Sequence, residues 1–66
     1  MRIVVNGKPV ECEAGTNLRD LIVQLGFKPG AIVAERNREI VPGEQFAQTC
    51  LGEGDKLELL QFVGGG

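Results

Sequence analysis

Met1-Arg2-Ile3-Val4-Val5-Asn6-Gly7-Lys8-Pro9-Val10-Glu11-Cys12 is the stretch on which the fold turns. Met1, Ile3 and Val5 alternate with Arg2, Val4 and Asn6, the period of two expected of a half-buried strand. Asn6-Gly7 follows, and a two-residue type I′ turn needs positive φ at both central positions, which Asn and Gly tolerate best. Closing that turn pairs Val5 with Lys8, Ile3 with Val10, Arg2 with Glu11 and Met1 with Cys12. This register gathers apolar side chains mainly on one face and sets opposite charges across the other. Pro9 has no N–H to give a ladder, so the second strand is expected at a sheet edge.

Working outward, Asn17 reads as a helix N-cap, with Asp20 three residues on as a variant of the capping-box acid. Leu18, Leu21, Ile22 and Leu25 then form one apolar stripe at helical spacing. Gly26 stands where a left-handed C-cap belongs, and Phe27 can fold back on the last turn. Lys28-Pro29-Gly30 reads as a turn, Ile32 to Arg36 as a strand, Asn37-Arg38 as a turn and Glu39-Ile40-Val41 as a short return strand stopped by Pro42-Gly43. Residues 44–51 predict a helical or 3₁₀ turn anchored by Phe46. Gly52-Glu53-Gly54-Asp55 turns into a last strand from Lys56 to Val63, with Leu57, Leu59, Gln61 and Val63 on one side and Lys56, Glu58, Leu60 and Phe62 on the other. With right-handed connections that strand lies parallel and adjacent to the first. The expected fold is α+β: a β-grasp, or ubiquitin-like, domain over residues 1–63, a small mixed sheet packed on one main helix.

Val63-Gly64-Gly65-Gly66 is read as the end of the chain, with residues 64–66 a flexible tail. Four extended residues reach roughly 13–14 Å, and glycines bring no side chains into a narrow tunnel. The plain alternative is a frayed terminus or a cloning remnant.

The inventory of side chains excludes much. A chain of 66 residues is one domain near the lower size limit for folding without disulfides or metals. Its net charge of −2 argues against a nucleic-acid partner. No apolar run approaches the roughly 20 residues of a membrane helix, and no signal peptide is visible, so a cytoplasmic location is expected. His, Ser, Tyr and Trp are all missing from the sequence. Ser- and His-based catalysis is thereby excluded, and a Cys nucleophile would lack an imidazole base. Cys12 and Cys50 are too few for a zinc or iron–sulfur site. They read as small buried hydrophobes, a disulfide or redox role being the alternative. The chain is expected not to be an enzyme, and to bind no metal and no cofactor of its own.

Asn37-Arg38-Glu39-Ile40-Val41-Pro42, Thr49, Gly54-Asp55 and Val63-Gly64-Gly65-Gly66 closely resemble the sulfur carrier family of thiamine biosynthesis (ThiS). Asn6-Gly7 and the stretch from Gly15 to Leu25 match in spacing, so the likeness covers essentially the whole chain. Two positions depart from it: Phe46 stands where the family commonly has a larger aromatic, and Gly43 where a basic residue commonly follows the proline. The resemblance implies that the Gly66 carboxylate, beyond the clearance given by Gly64 and Gly65, is adenylated and converted to a thiocarboxylate. That sulfur then enters the thiazole ring of thiamine. It implies as partners an adenylyltransferase of the ubiquitin-activating kind (ThiF-like) using ATP and magnesium, a persulfide sulfur donor, and a thiazole synthase (ThiG-like). Alternatives are a carrier for molybdopterin or tRNA thiolation, a ubiquitin-like protein modifier, and a β-grasp binding module whose di-glycine ending is incidental.

Strand alternation also predicts a docking surface. If Met1, Ile3 and Val5 face the helix and Leu59 and Val63 point inward, then Val4, Leu60 and Phe62 point outward. They would form one apolar, partner-binding patch beside the root of the tail. Self-association, or a bulge that buries Phe62, is the alternative.

Overall fold

Asn6 and Gly7 have φ of 50° and 81°, the left-handed pair that a type I′ turn demands. The turn joins β1 (Arg2–Val5) to β2 (Lys8–Glu11) in the expected register, Arg2 opposite Glu11, Ile3 opposite Val10 and Val5 opposite Lys8. Met1 and Cys12 extend the pair: the Cys12 N–H donates to the Met1 carbonyl at 2.9 Å, and the terminal ammonium donates to the Cys12 carbonyl at 2.8 Å. The structure, a computed structural model, describes residues 1–63. The roles expected of Gly64, Gly65 and Gly66 therefore lie outside the described residues.

α1 (Leu18–Gln24) starts where Asn17 Oδ1 accepts from the Asp20 N–H at 2.8 Å. It stops in a Schellman motif: Gly26, at φ 90°, donates to the Val23 carbonyl, and Phe27 donates to that of Ile22. Leu18, Leu21 and Ile22 are fully buried. After a 3₁₀ turn at Pro29–Ala31 come β3 (Ile32–Arg36) and β4 (Glu39–Val41), joined by Asn37-Arg38 with φ of 51° and 73°. A second 3₁₀ turn, Gly43–Gln48, buries Phe46 under the sheet, and β5 (Lys56–Gln61) completes the order β2-β1-β5-β3-β4. β5 runs parallel to β1 and antiparallel to β3. Ile3, Val5, Ala34, Leu57 and Leu59 face the helix, so the core is one layer between sheet and α1. This is the β-grasp arrangement. β2, with Pro9, is an outer strand.

Two expectations are corrected here. Val63 is 91% exposed and does not point inward, because the ladder with β3 closes at Gln61–Ile32 and the chain bends at Val63, ending the alternation. Cys50 is exposed, although Cys12 is buried; both are free thiols. Cys50 sits in a single bridge to Asn17, outside the named strands, and is not part of the buried cluster that Cys12 joins.

Asp55 anchors the start of β5. Its Oδ2 accepts from the Gly52 N–H at 2.8 Å and from Arg36 Nε at 2.9 Å, and its Oδ1 accepts from Asn37 Nδ2 at 3.1 Å. Burial pushes this carboxyl up. The Gly52 amide, the Asn37 amide and the Arg36 guanidinium together outweigh that push and hold it below the ordinary 3.8. A depressed carboxylate contributes stability that is present above its unfolded value and is lost as pH falls through its folded one. Asp55→Ala should therefore cost about 2–3 kcal/mol at neutral pH. Below roughly pH 4 the difference between parent and variant in urea unfolding should shrink. An equal difference at pH 7 and pH 2.5 would show that the charge plays no part.

Candidate docking surface

The outer face of the sheet is read from its register. Lys56, Glu58 and Leu60 share the face turned away from α1, since side chains alternate along a strand. Opposite them on β3 stand Glu35 beside Glu58 and Val33 beside Leu60, and Ile40 of β4 lies beyond Glu35. The Phe62 N–H donates to the Ala31 carbonyl at 3.0 Å, continuing the pairing one step past β5. Phe62 thereby falls on the same side as Leu60 and Val33. Leu60 is 68% exposed, Val33 41% and Phe62 40%. These three form a contiguous apolar patch that leads directly to Val63 and the glycines.

Val4 is not part of it. The parallel pairing sets Val4 opposite Lys56, four residues before Leu60, a separation of about 13 Å along the strand. β1 turns away at Asn6-Gly7 before it can run beside Leu60. Val33 occupies the place that adjacency had assigned to Val4. The sequence signal was present, since Val33 stands between the inward residues Ile32 and Ala34. It could not be used without knowing that β3, rather than β1, flanks the end of β5.

Glu35 and Glu58, side by side, put two like charges next to the patch, an arrangement unfavourable in an isolated strand pair. With Asn37, Arg38 and Lys56 they line a depression of about 380 Å³. A second depression, of about 270 Å³, lies on the other side of the Asn37-Arg38 turn between Arg36, Ile40, Gln45 and Thr49. Neither holds a nucleophile paired with a base. Among the described residues no group of three or more His, Cys, Asp or Glu side chains is placed to hold a metal ion. No helix among them is long and apolar enough to cross a membrane. What this surface offers chemically is apolar contact framed by charge, a docking surface in form, next to the last described residue, Val63.

The chain matches the model of the ThiS family over residues 3–66. It is 35% identical to the sulfur carrier protein ThiS of Escherichia coli (strain K12) over 66 residues, which cover 100% of both chains. It is 41% identical to a thiazole synthase of Magnetococcus marinus, over 100% of this chain and 20% of that protein; the chain thus spans about a fifth of that relative's length. Its structure superposes on the crystal structure of a thiamine biosynthesis protein, ThiS, from Geobacter metallireducens with a TM-score of 0.83. There the identity is 33% and both chains are covered completely.

Because Leu60 and Phe62 lie outside the core, a Leu60→Asp, Phe62→Asp double variant should stay folded. Its melting temperature should fall by no more than about 8 °C, the shift that ~1 kcal/mol produces in a domain of this size. Loss of the circular dichroism of the folded state would place these side chains in the core instead.

Proposed function

The chain belongs to the ThiS family, and from that premise we propose that it is a sulfur carrier. In this reading Gly66 ends in a carboxylate that accepts sulfur from partner enzymes and delivers it for thiazole formation in thiamine biosynthesis. The observation that carries this reading is the patch of Val33, Leu60 and Phe62. Leu60 and Phe62 belong to the segment that runs into Val63 and the glycines, and Val33 stands beside Leu60 on β3. An enzyme that docks there receives the tail in the same act.

The chemistry follows from what this chain has and lacks. An ionised C-terminal carboxylate, with a pKa near 3.3–3.7, is a weak electrophile and a competent nucleophile. It attacks the α-phosphate of ATP held with magnesium by an adenylyltransferase (ThiF-like) and displaces pyrophosphate. The terminal sulfur of a donor persulfide then attacks the acyl carbon of the adenylate, and AMP leaves with the bonding electrons. A second thiol attacks the donor's remaining sulfur and breaks the S–S bond, so the Gly66 thiocarboxylate is released and a disulfide forms on the donor side. The thiocarboxylate sulfur is the nucleophile passed to a thiazole synthase (ThiG-like). Relatives that bear the name thiazole synthase contain a stretch similar to this chain within a polypeptide about five times as long (a covalent pairing that favours that enzyme as the receiver). With no His or Ser in the chain, every catalytic group comes from the partners. Cytoplasmic placement goes with that supply of ATP and persulfide.

Intact-mass measurement of the protein recovered from cells should show replacement of one oxygen by sulfur at Gly66. Deleting Gly65 and Gly66 should leave the melting temperature unchanged and abolish that mass shift. Sulfur transfer that persists at the parent rate in the truncated protein would rule out the carrier mechanism. The Leu60→Asp, Phe62→Asp variant should weaken binding to the adenylyltransferase more than roughly 10-fold, as loss of a docking hot spot does. Unchanged affinity would move the docking site elsewhere.

A further inference from the structure

In an antiparallel pair, successive residues of a strand alternate between bonding one neighbour and facing the other side. Along β5 the even-numbered residues serve β3: the Lys56 carbonyl accepts from the Asn37 N–H at 2.8 Å, and the Phe62 N–H donates to Ala31 at 3.0 Å. The odd-numbered residues face β1. The carbonyls of Asp55 and Leu57 accept from the N–H groups of Val4 and Asn6, both at 2.9 Å. Beyond Asn6 the backbone of β1 is no longer available, and the Asn6 carboxamide replaces it. Its Oδ1 accepts from the Leu59 N–H at 2.8 Å, and its Nδ2 donates to the Leu59 carbonyl at 3.1 Å.

Gln61 is the next odd-numbered residue. It is exposed, its position in the ladder turns its N–H and C=O toward the vacated line of β1, and among the described residues neither group has a partner. The sheet therefore has an open edge at the last residue of β5, immediately before Phe62, Val63 and the glycines. The contrast with β2 is informative. That outer strand is blunted by Lys8 and by Pro9, which has no N–H, two common defences against unwanted strand pairing. Leu60-Gln61-Phe62-Val63 has neither lysine nor proline.

We propose that this edge is a strand-addition site: an extended segment of the thiazole synthase that receives the tail continues the line of β1 and pairs with the Gln61 backbone. The inference rests on the carrier reading. Relatives named thiazole synthase carry a stretch similar to this chain within one polypeptide, which favours that enzyme as the occupant over the adenylyltransferase. Position and chemistry favour strand pairing as the mode. The edge adjoins the patch of Leu60 and Phe62, so an added strand can carry apolar side chains over them. The edge also lies at the root of a segment made only of glycine, which an enzyme recognises through main-chain hydrogen bonds because there are no side chains to read. Pairing that begins at Gln61 sets the direction in which those glycines are drawn out.

The test is amide hydrogen exchange on the isotope-labelled protein, alone and in complex with the thiazole synthase of the same organism. In the free chain the Gln61 N–H should exchange much faster than that of Leu60, which faces β3. In the complex the Gln61 N–H should slow by at least about 10-fold. Gln61→Pro removes that N–H without touching the β3 ladder, and should weaken the complex roughly 3- to 10-fold, the worth of one backbone hydrogen bond. Gln61→Ala should bind like the parent. Should the proline variant fail to fold, an ester in place of the Leu60–Gln61 amide removes the same donor without constraining φ. A formed complex in which Gln61 exchanges as in the free chain overturns the assignment, and so does protection that survives loss of the donor with unchanged affinity. A parent chain that forms no complex and gains no sulfur in cells overturns the carrier reading, and the strand-addition site with it.

Discussion

The carboxylate of Asp55 is the constraint on which the sheet depends. A β-grasp must thread its last strand between two strands formed much earlier in the chain, and this one side chain fixes where the threading begins. It ties the Gly52 turn to Arg36 and Asn37 at the end of β3. The backbone of the same residue accepts from Val4 of β1, and the Asn37 carboxamide closes the circuit by accepting from the Lys56 N–H at 3.0 Å. β1, β3 and β5 are thereby brought into register at a single point. The energetics fit, because a buried carboxylate is costly unless its lone pairs are met by donors, and here a cation, a carboxamide and a backbone N–H meet them.

From that point the sheet diverges. β1 follows β5 for two residue pairs, Val4–Lys56 and Val5–Leu57, and one side chain, Asn6, extends the contact to Leu59. β3 follows β5 to its end. The two sides of the last strand therefore differ: one is fully paired, and the other runs out just before the tail. That asymmetry places Val33 rather than Val4 beside Leu60 and leaves the Gln61 backbone open. The apolar patch and the open edge have one origin, the early turn at Asn6-Gly7.

The same economy governs the chemistry. A 66-residue domain with a single-layer core has no room for an enclosed active site, and the exposed thiol of Cys50 has no imidazole in the chain to deprotonate it. In the proposed carrier reading the fold serves as a handle for the glycines that follow Val63, and the partner enzymes hold the nucleotide and the sulfur. Leu60 projects from a strand paired with β3, and Phe62 follows it, held by its N–H bond to the Ala31 carbonyl.

Local pattern in the sequence determined the hairpin and its register, the Asn17 cap, the apolar stripe of α1, the Gly26 stop and the Phe46 anchor. Each depends on residues a few positions apart and on backbone preferences that distant contacts do not alter. The family likeness, carried by Glu39-Ile40-Val41-Pro42, Gly54-Asp55 and the glycines, was likewise readable without coordinates. Tertiary structure alone decided three things. Alternation assigns a residue to a face but not to a neighbour, so the company of Leu60 waited on the order of the strands. The burial of a thiol depends on what packs against it: Cys12 joins the core cluster and Cys50 does not. Of the three donors to the Asp55 carboxylate, Arg36 at the end of β3 and Asn37 in the turn after it lie 19 and 18 residues earlier in the chain. Over that separation spacing carries no signal, and only the closed sheet brings donor to acceptor.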